Sequence, residues 1–218
     1  MEDFFAGITG RWPAGEEHLH WHVLPDPEVV AERLAVPCRE LTHRPGLSPV
    51  PPRWAHITIG HLVAPATEIT GAQVTKMTGQ VRERCEGLAP FAVIAGRPAP
   101  WGGGIVCPVR PGHRLRDLWR VTAAAARDVA GGRYLPESYD PHMSLAYSTA
   151  GAPDGPPRAW LSDHDTGEVP FPVTHLSLVA QRHDGSQITW RVIEQLPLTG
   201  GPLAASSIPR ETASSEET

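Results

Sequence analysis

Lysine is almost missing from this sequence. Lys76 is the only one among 19 basic residues, so nearly all positive charge is carried by Arg. Arg suits bidentate contacts to phosphate. Ala, Gly and Pro are frequent as well, and a GC-rich gene gives the same bias. Acidic residues outnumber basic ones, and the net charge is −5. That excludes the basic footprint of a duplex-binding protein. It leaves room for a small or single-stranded anionic ligand, because a local pocket can be positive on an acidic protein. Cysteine is also scarce. Cys38, Cys85 and Cys107 are odd in number and form no C-x-x-C. A disulfide framework or zinc knuckle is therefore excluded, and reduced thiols in a cytoplasmic protein are expected. No apolar run approaches the ~18 residues of a membrane span. The first residues, MEDFFAGITGRW, lack the basic start of a signal peptide. Nothing in the chain calls for a cofactor, a membrane or an obligate protein partner.

What is present suits a globular chain. Of 218 residues, 40% are apolar and 20% charged, enough to bury a core in one ordinary or two-lobed domain. Residues 1–15 read as a lead-in, 16–198 as the folded domain and 199–218 as a disordered tail without apolar periodicity. HLHWHVLP and WAHITIGHLV alternate like strands. DPEVVAERLAV opens with Asp26 as N-cap and Pro27 at the first helical position. The Pro- and Gly-rich stretch 38–53 reads as a loop. Val74, Met77, Val81 and Cys85 recur at helical spacing, as do Leu115, Leu118, Val121 and Ala125. PFAVIAGRPAPW and GGIVCPVRP read as two strands, SYDPHMSLAYST as another. HDGS, between two alternating runs, signals a closing hairpin. Strands that follow one another as hairpins predict an α+β fold over a doubly wound sheet.

Two tetrapeptides carry the chemistry: His56-Ile57-Thr58-Ile59 and His142-Met143-Ser144-Leu145. Period two puts each imidazole and its hydroxyl on one strand face, roughly 6.5–7 Å apart. Two such strands facing one cleft give two imidazoles that can trade protons near neutral pH. The hydroxyls can bond oxygens that gain charge on phosphorus. This double H-x-[ST]-x pattern resembles the 2H phosphoesterase superfamily, in particular its LigT-like group of 2′-5′ RNA ligases and RNA 2′,3′-cyclic phosphodiesterases. Pro141 before His142 matches that group's second motif. The resemblance implies two pseudo-symmetric lobes of antiparallel strands, helices packed outside and a central cleft. It also implies metal-independent hydrolysis of a 2′,3′-cyclic phosphate on RNA ends or small nucleotides, or reversible 2′-5′ joining. His56 would donate and His142 accept the proton, with Thr58 and Ser144 on the phosphate. The sequence alone fixes no direction of proton transfer, and the same fold can hold a nucleotide without turnover. The group often carries Arg shortly after its second motif; Tyr147 stands there, at an odd offset from Ser144 that turns it away unless the strand bends.

Other candidates compete. His175-Leu176-Ser177-Leu178 is a third match, less apt than His142 because it lacks the Pro. His18, His20 and His22 alternate on one strand face. They read as metal ligands, as cleft-lining residues (His20 and His22) or as structural histidines; a further ligand set of Asp, Glu or Cys is not apparent. Trp54 shares the His56 face and reads as a base-stacking residue or as core. His61, five residues past His56, is expected on the opposite face. Trp101-Gly-Gly-Gly lacks the Lys and helix of a phosphate loop, and Ser138 and Ser144 form no nucleophile elbow.

Overall fold

A computed structural model describes residues 1–131, 134–135 and 140–201, for 134–135 the backbone alone. Most of the expected tail, from residue 202 on, and Ser138 lie outside the described residues.

Alternating apolar residues make the strands, and their pairing makes one curled sheet. β1 (His18–Val23) buries Leu19, Trp21 and Val23 on its helix-covered side and turns His18, His20 and His22 to the other. It lies between β3 (Ile57–Pro65) and β10 (His175–His183), and β10 pairs with β11 (Ile188–Pro197). These four strands are the first lobe. The second consists of β8 (His142–Ser148), β6 (Gly104–Arg110), β4 (Phe91–Ala95) and β9 (Val169–Val173), in that order. Short strands β2 (Leu47–Pro49), β5 (Ala99–Trp101) and β7 (Tyr134–Leu135) add to β8, β6 and β3. All pairings are antiparallel. The α+β architecture with two lobes is as the sequence predicts.

Helices cover the outer faces. Residue Thr70 caps α4 (Gly71–Glu86) in a reciprocal box with Gln73, and Met77, Val81 and Cys85 go into the core. α5 (Gly112–Ala130) buries Leu115, Leu118 and Ala125; Val121 is only half-buried. It ends at Gly131, whose φ of 63° suits a residue without Cβ. These two helices pack on each other and on the first lobe. The closing hairpin turns as HDGS predicts: the Asp184 carboxylate accepts from Ser186 N and Gln187 N.

Several stretches differ from the sequence reading. The helix after Asp26 is α-helical only at Pro27–Val30 and continues as a wider π turn through Ala31–Ala35. The predicted loop at 38–53 contains α3 (Arg39–Thr42) and β2. The connection after β8 contains α6 (Gly155–Asp163), whose Trp160 and Leu161 are buried. Pro and Gly density hid these short elements, since two prolines open α6 where the missing N–H does no harm. The 1–15 segment carries α1 (Phe4–Thr9), which lays Phe5, Ile8 and Trp12 against Tyr147 and Ile188 on the inner face of the sheet. Among the described residues, no helix is long and apolar enough to cross a membrane.

The inner face is crowded with imidazoles. His20 stacks on His61 at 4.9 Å and His22 on His56 at 4.2 Å between ring centroids. Burial pushes His20 and His22 well below the usual range, and takes His56 and His61 down to about 4. The unfolded chain therefore binds more protons than the native one once pH falls below the ordinary 6.5. Stability from these four groups is fully present above that value and is lost on acidification toward 4. Each contributes about 1.4 kcal/mol of loss per pH unit in that window. Denaturant midpoints are expected to fall steeply from pH 7 to pH 5 and to stay level from pH 7 to 8. Replacing His22 with Leu is expected to flatten the acid slope by one histidine's share. A midpoint that is level from pH 7 to 5 contradicts this account of the buried row.

Candidate active site

The two lobes meet at one residue pair, Ile57 opposite Met143. Each is the residue after a motif histidine. An antiparallel register through that pair sets His56 across from Ser144 and Thr58 across from His142. Side chains so placed share a face and lie about 4.5–5.5 Å apart at Cβ. The two tetrapeptides thus meet as halves of a local twofold arrangement.

Both strands then bulge at the same motif position. On β3, Gly60 is opposite Trp21 but Thr58 is opposite His22, leaving Ile59 without an opposite. On β8, Ala146 is opposite Ile105 but Ser144 is opposite Val106, leaving Leu145 out. An extra residue reverses the alternation beyond it. His61 and Tyr147, each three residues past a motif hydroxyl, therefore come back to the inner face. The expectation that His61 faces away from His56 is corrected by this bulge. So is the expectation for Tyr147, whose buried phenol meets the Ser144 hydroxyl and is pushed up by burial.

Backbone carbonyls fix the motif imidazoles in matching ways. His56 donates from Nδ1 to Trp54 O at 3.0 Å, and His142 from Nδ1 to Asp140 O at 2.9 Å. A carbonyl only accepts, so each Nδ1 carries the proton and Nε2 is the nitrogen left for a ligand. Burial is the main cause that lowers His56 to about 4; the Trp54 bond works against it, and nearby His142 adds slightly. At that value His56 is neutral at pH 7.

A cavity of about 470 Å³ opens on this face, within the usual range of small-molecule sites. His56, Thr58, His142 and Ser144 all line it, and so does His20. His22 does not. It is fully buried beneath the His56 ring and the edge of Trp190, and neither ring nitrogen has a partner among the described residues. Trp54 does not line the cavity either. It sits in a 3-10 turn (Pro52–Trp54), where period two fails, and its ring packs on Trp190 at 4.9 Å. His175 is exposed at the start of β10 and away from the cavity. Residues that sequence reasoning missed come from the N-terminal segment, Phe4 on α1 with Arg11 and Trp12 just after it, and from the end of β5, Trp101. The apolar face of FFAGI was a signal for the first group. Among the described residues, no group of three His, Cys, Asp or Glu side chains is placed to hold a metal ion. His20 and His22 meet edge to face at 5.6 Å, and each stacks on a further histidine, His61 and His56.

Comparison with known proteins agrees with this fold. The fold matches TT0787 of Thermus thermophilus with a TM-score of 0.64 at 19% identity, over 84% of this chain and 98% of that one. It matches E. coli LigT complexed with 3′-AMP with a TM-score of 0.62 at 16% identity, over 84% and 99% of the two chains. E. coli LigT complexed with NADP+ gives the same TM-score of 0.62 at 16% identity over 84% and 99%. None of the curated proteins compared with this sequence matches it. A family model described as the 2′-5′ RNA ligase superfamily matches residues 26–185, which includes both tetrapeptides and the bulges that follow them, and the chain belongs to that superfamily.

Proposed function

We propose that the protein hydrolyses 2′,3′-cyclic phosphate ends of RNA or of small nucleotides without a metal, in the cytoplasm. One observation carries the reading: two strands, each with a carbonyl-anchored imidazole and a hydroxyl, flank a single cavity. Membership of the superfamily supports a phosphodiesterase or ligase reaction, and LigT complexes with 3′-AMP and NADP+ support a nucleotide ligand. The three cysteines are free and buried, which suits a reducing compartment.

The phosphate lies between the two Nε2 atoms. Water attacks phosphorus; its proton goes to His142 and its oxygen stays on phosphorus. The bond to one ribose oxygen breaks, and that oxygen takes a proton from His56. The product is a ribose phosphomonoester. A 5′-hydroxyl of a second strand that attacks in place of water gives its proton to His142 while the leaving 3′-oxygen takes one from His56, and two ends are joined through a 2′-5′ link. Thr58 and Ser144 donate to the non-bridging oxygens as charge builds on them. Burial makes His56 neutral at pH 7, so it must gain its proton when the ligand arrives. An anion at hydrogen-bond distance favours the imidazolium and supplies that shift. A second reading, nucleotide binding without turnover, draws on Tyr147, which puts a phenol where the LigT-like group often has a cation.

Two experiments test this. Adenosine 2′,3′-cyclic phosphate is expected to be hydrolysed in EDTA, with kcat/KM lowered roughly 10²–10⁴-fold in His56→Ala and again in His142→Ala. Thr58→Val and Ser144→Ala are expected to lose roughly 10²–10³-fold in kcat. Full activity in either histidine variant removes the mechanism, and binding with no turnover by the native protein selects the second reading. The other experiment is calorimetry of 3′-AMP at pH 6.5 in buffers of different ionisation enthalpy. Proton uptake near one per site is expected, and none in His56→Ala. Equal heats in all buffers rule out His56 as the group that charges on binding.

A further inference from the structure

The two motif histidines have the same carbonyl anchor but unequal neighbours. His142 is half-buried, and among the described residues no ring stacks on its face; Trp101 meets it at 74°. His56 lies on the ring of His22, with centroids 4.2 Å apart and planes within 18°. Trp190 of β11 stands at nearly right angles to both rings, 5.3 Å from His22 and 4.8 Å from His56, and so closes the side of this stack. Trp54 backs Trp190 at 4.9 Å. The bulge of β3 makes the stack. Trp21 is opposite Gly60, and the unmatched Ile59 brings His22 opposite Thr58, on the face that carries His56.

Packing alone gives no reason for a histidine at this place. His22 is fully buried, and neither ring nitrogen has a partner among the described residues. An aliphatic side chain of like volume leaves no buried nitrogen unpaired and costs less. What it lacks is a π-face. Burial holds His22 well below the usual histidine range, so its ring is neutral at pH 7. A cation over a neutral aromatic ring is attracted by that ring. Among the described residues, the titratable groups that act on His56 are His20 and His22 on β1 and His142 on β8. None is a carboxylate. β11 and the 3-10 turn bring up only Trp190 and Trp54, and the Arg53 guanidinium lies over the Trp54 ring at 5.5 Å. In the cavity wall, Asp140 precedes the His142 strand and Arg11 acts on His61.

We propose that His22 is a positioning residue for the proton donor: its face carries the His56 ring while that ring is an imidazolium. The inference rests on the phosphodiesterase reading above, in which His56 gives a proton and His142 takes one. The group that must be cationic when the step begins has a ring beneath it; the group that begins neutral has none. The phosphate meets the charge at Nε2, in the plane of the ring. His22 meets it on the face, where no anion reaches.

The test is the pH dependence of kcat on adenosine 2′,3′-cyclic phosphate. His56 must be protonated in the complex, so kcat falls as pH rises through the point where it loses that proton. Without a π-face beneath it the imidazolium is less favoured, and this alkaline limb moves to lower pH. His22→Leu is expected to move it down by about half a pH unit to one pH unit. On the alkaline side kcat is then lowered roughly threefold to tenfold, and on the acid side it recovers toward the native value. His22→Phe supplies a π-face without nitrogens and is expected to hold the limb at or above its native position. His22→Ile, equally without a π-face, repeats the measurement if His22→Leu does not fold. A limb that stays in place in the aliphatic variant overturns the proposal. So does an equal loss at every pH, which leaves His22 a packing residue, and so does a limb in His22→Phe that moves as far as in His22→Leu. Titration of the His56 ring by NMR, with inorganic phosphate bound, separates this from the reaction itself. If the native protein does not hydrolyse the ester, the phosphodiesterase reading falls. The support from His22 then stands only if His56 titrates at lower pH in the aliphatic variant than in the native protein and His22→Phe; equal midpoints in all three overturn it.

Discussion

Everything in the candidate site depends on the antiparallel contact between Ile57 and Met143. It is the seam between two four-stranded lobes, and a slip of one residue there turns both histidines away from the cavity. The seam is held by what lies behind it. Ile57 and Met143 are fully buried in the main core, between helices on one side and the inner face on the other. Their apolar burial sets the register, and the register sets which imidazole meets which hydroxyl. Packing of two residues that touch no ligand is thus what brings four polar side chains to one cavity.

The bulges explain why the motif has a fourth, unspecified position. Ile59 and Leu145 each absorb an extra residue just past the hydroxyl. After that step the strand presents its odd positions to the cleft. His61 gains the cavity wall in one lobe and Tyr147 in the other. A period-two reading of the sequence gives the faces of His56, Thr58, His142 and Ser144 correctly, because all four precede the bulge. It fails for every residue after it. Neither bulge carries a consistent local signal: Gly60 follows one, but Ala146 follows the other. Only the pairing partner, with its count of residues, reveals an unmatched position. The same limit applies to Trp54, since a turn of 3-10 helix leaves no mark in a Pro-rich stretch beyond the prolines themselves. Trp101 was legible only as a turn residue, because the cavity wall it shares with Phe4 depends on α1 crossing from the other end of the chain.

The histidine row answers to burial more than to chemistry. His20 and His22 lie under neighbouring rings with ring nitrogens that have no partner among the described residues. A buried unpaired polar group costs about 1–3 kcal/mol. The row gives something in return at the His56 position. A neutral aromatic ring stacked at 4.2 Å fixes the plane of His56 without offering it a proton acceptor. A carboxylate in the place of His22 would orient the ring too, but would raise its pKa and charge it in the empty site. His22 stacks on the ring, and burial keeps it discharged. In the proposed reaction the proton arrives with the anion, so the charged form accompanies the phosphate.

Charge in the cavity wall leads to the same point. Arg11 is the one Arg or Lys among the residues that line the larger cavity, and Asp140 offsets it. A groove that tracks a long polyanion needs many fixed cations, and its affinity falls steeply with salt. This cleft has few, and the net charge of the chain is −5. In the proposed reaction, binding comes instead from the hydroxyls of Thr58 and Ser144 and from an imidazole that gains charge beside a phosphate. Both act at the phosphate itself. That scarcity of fixed cations is why the proposed substrate is an end or a small nucleotide and not a long polyanion.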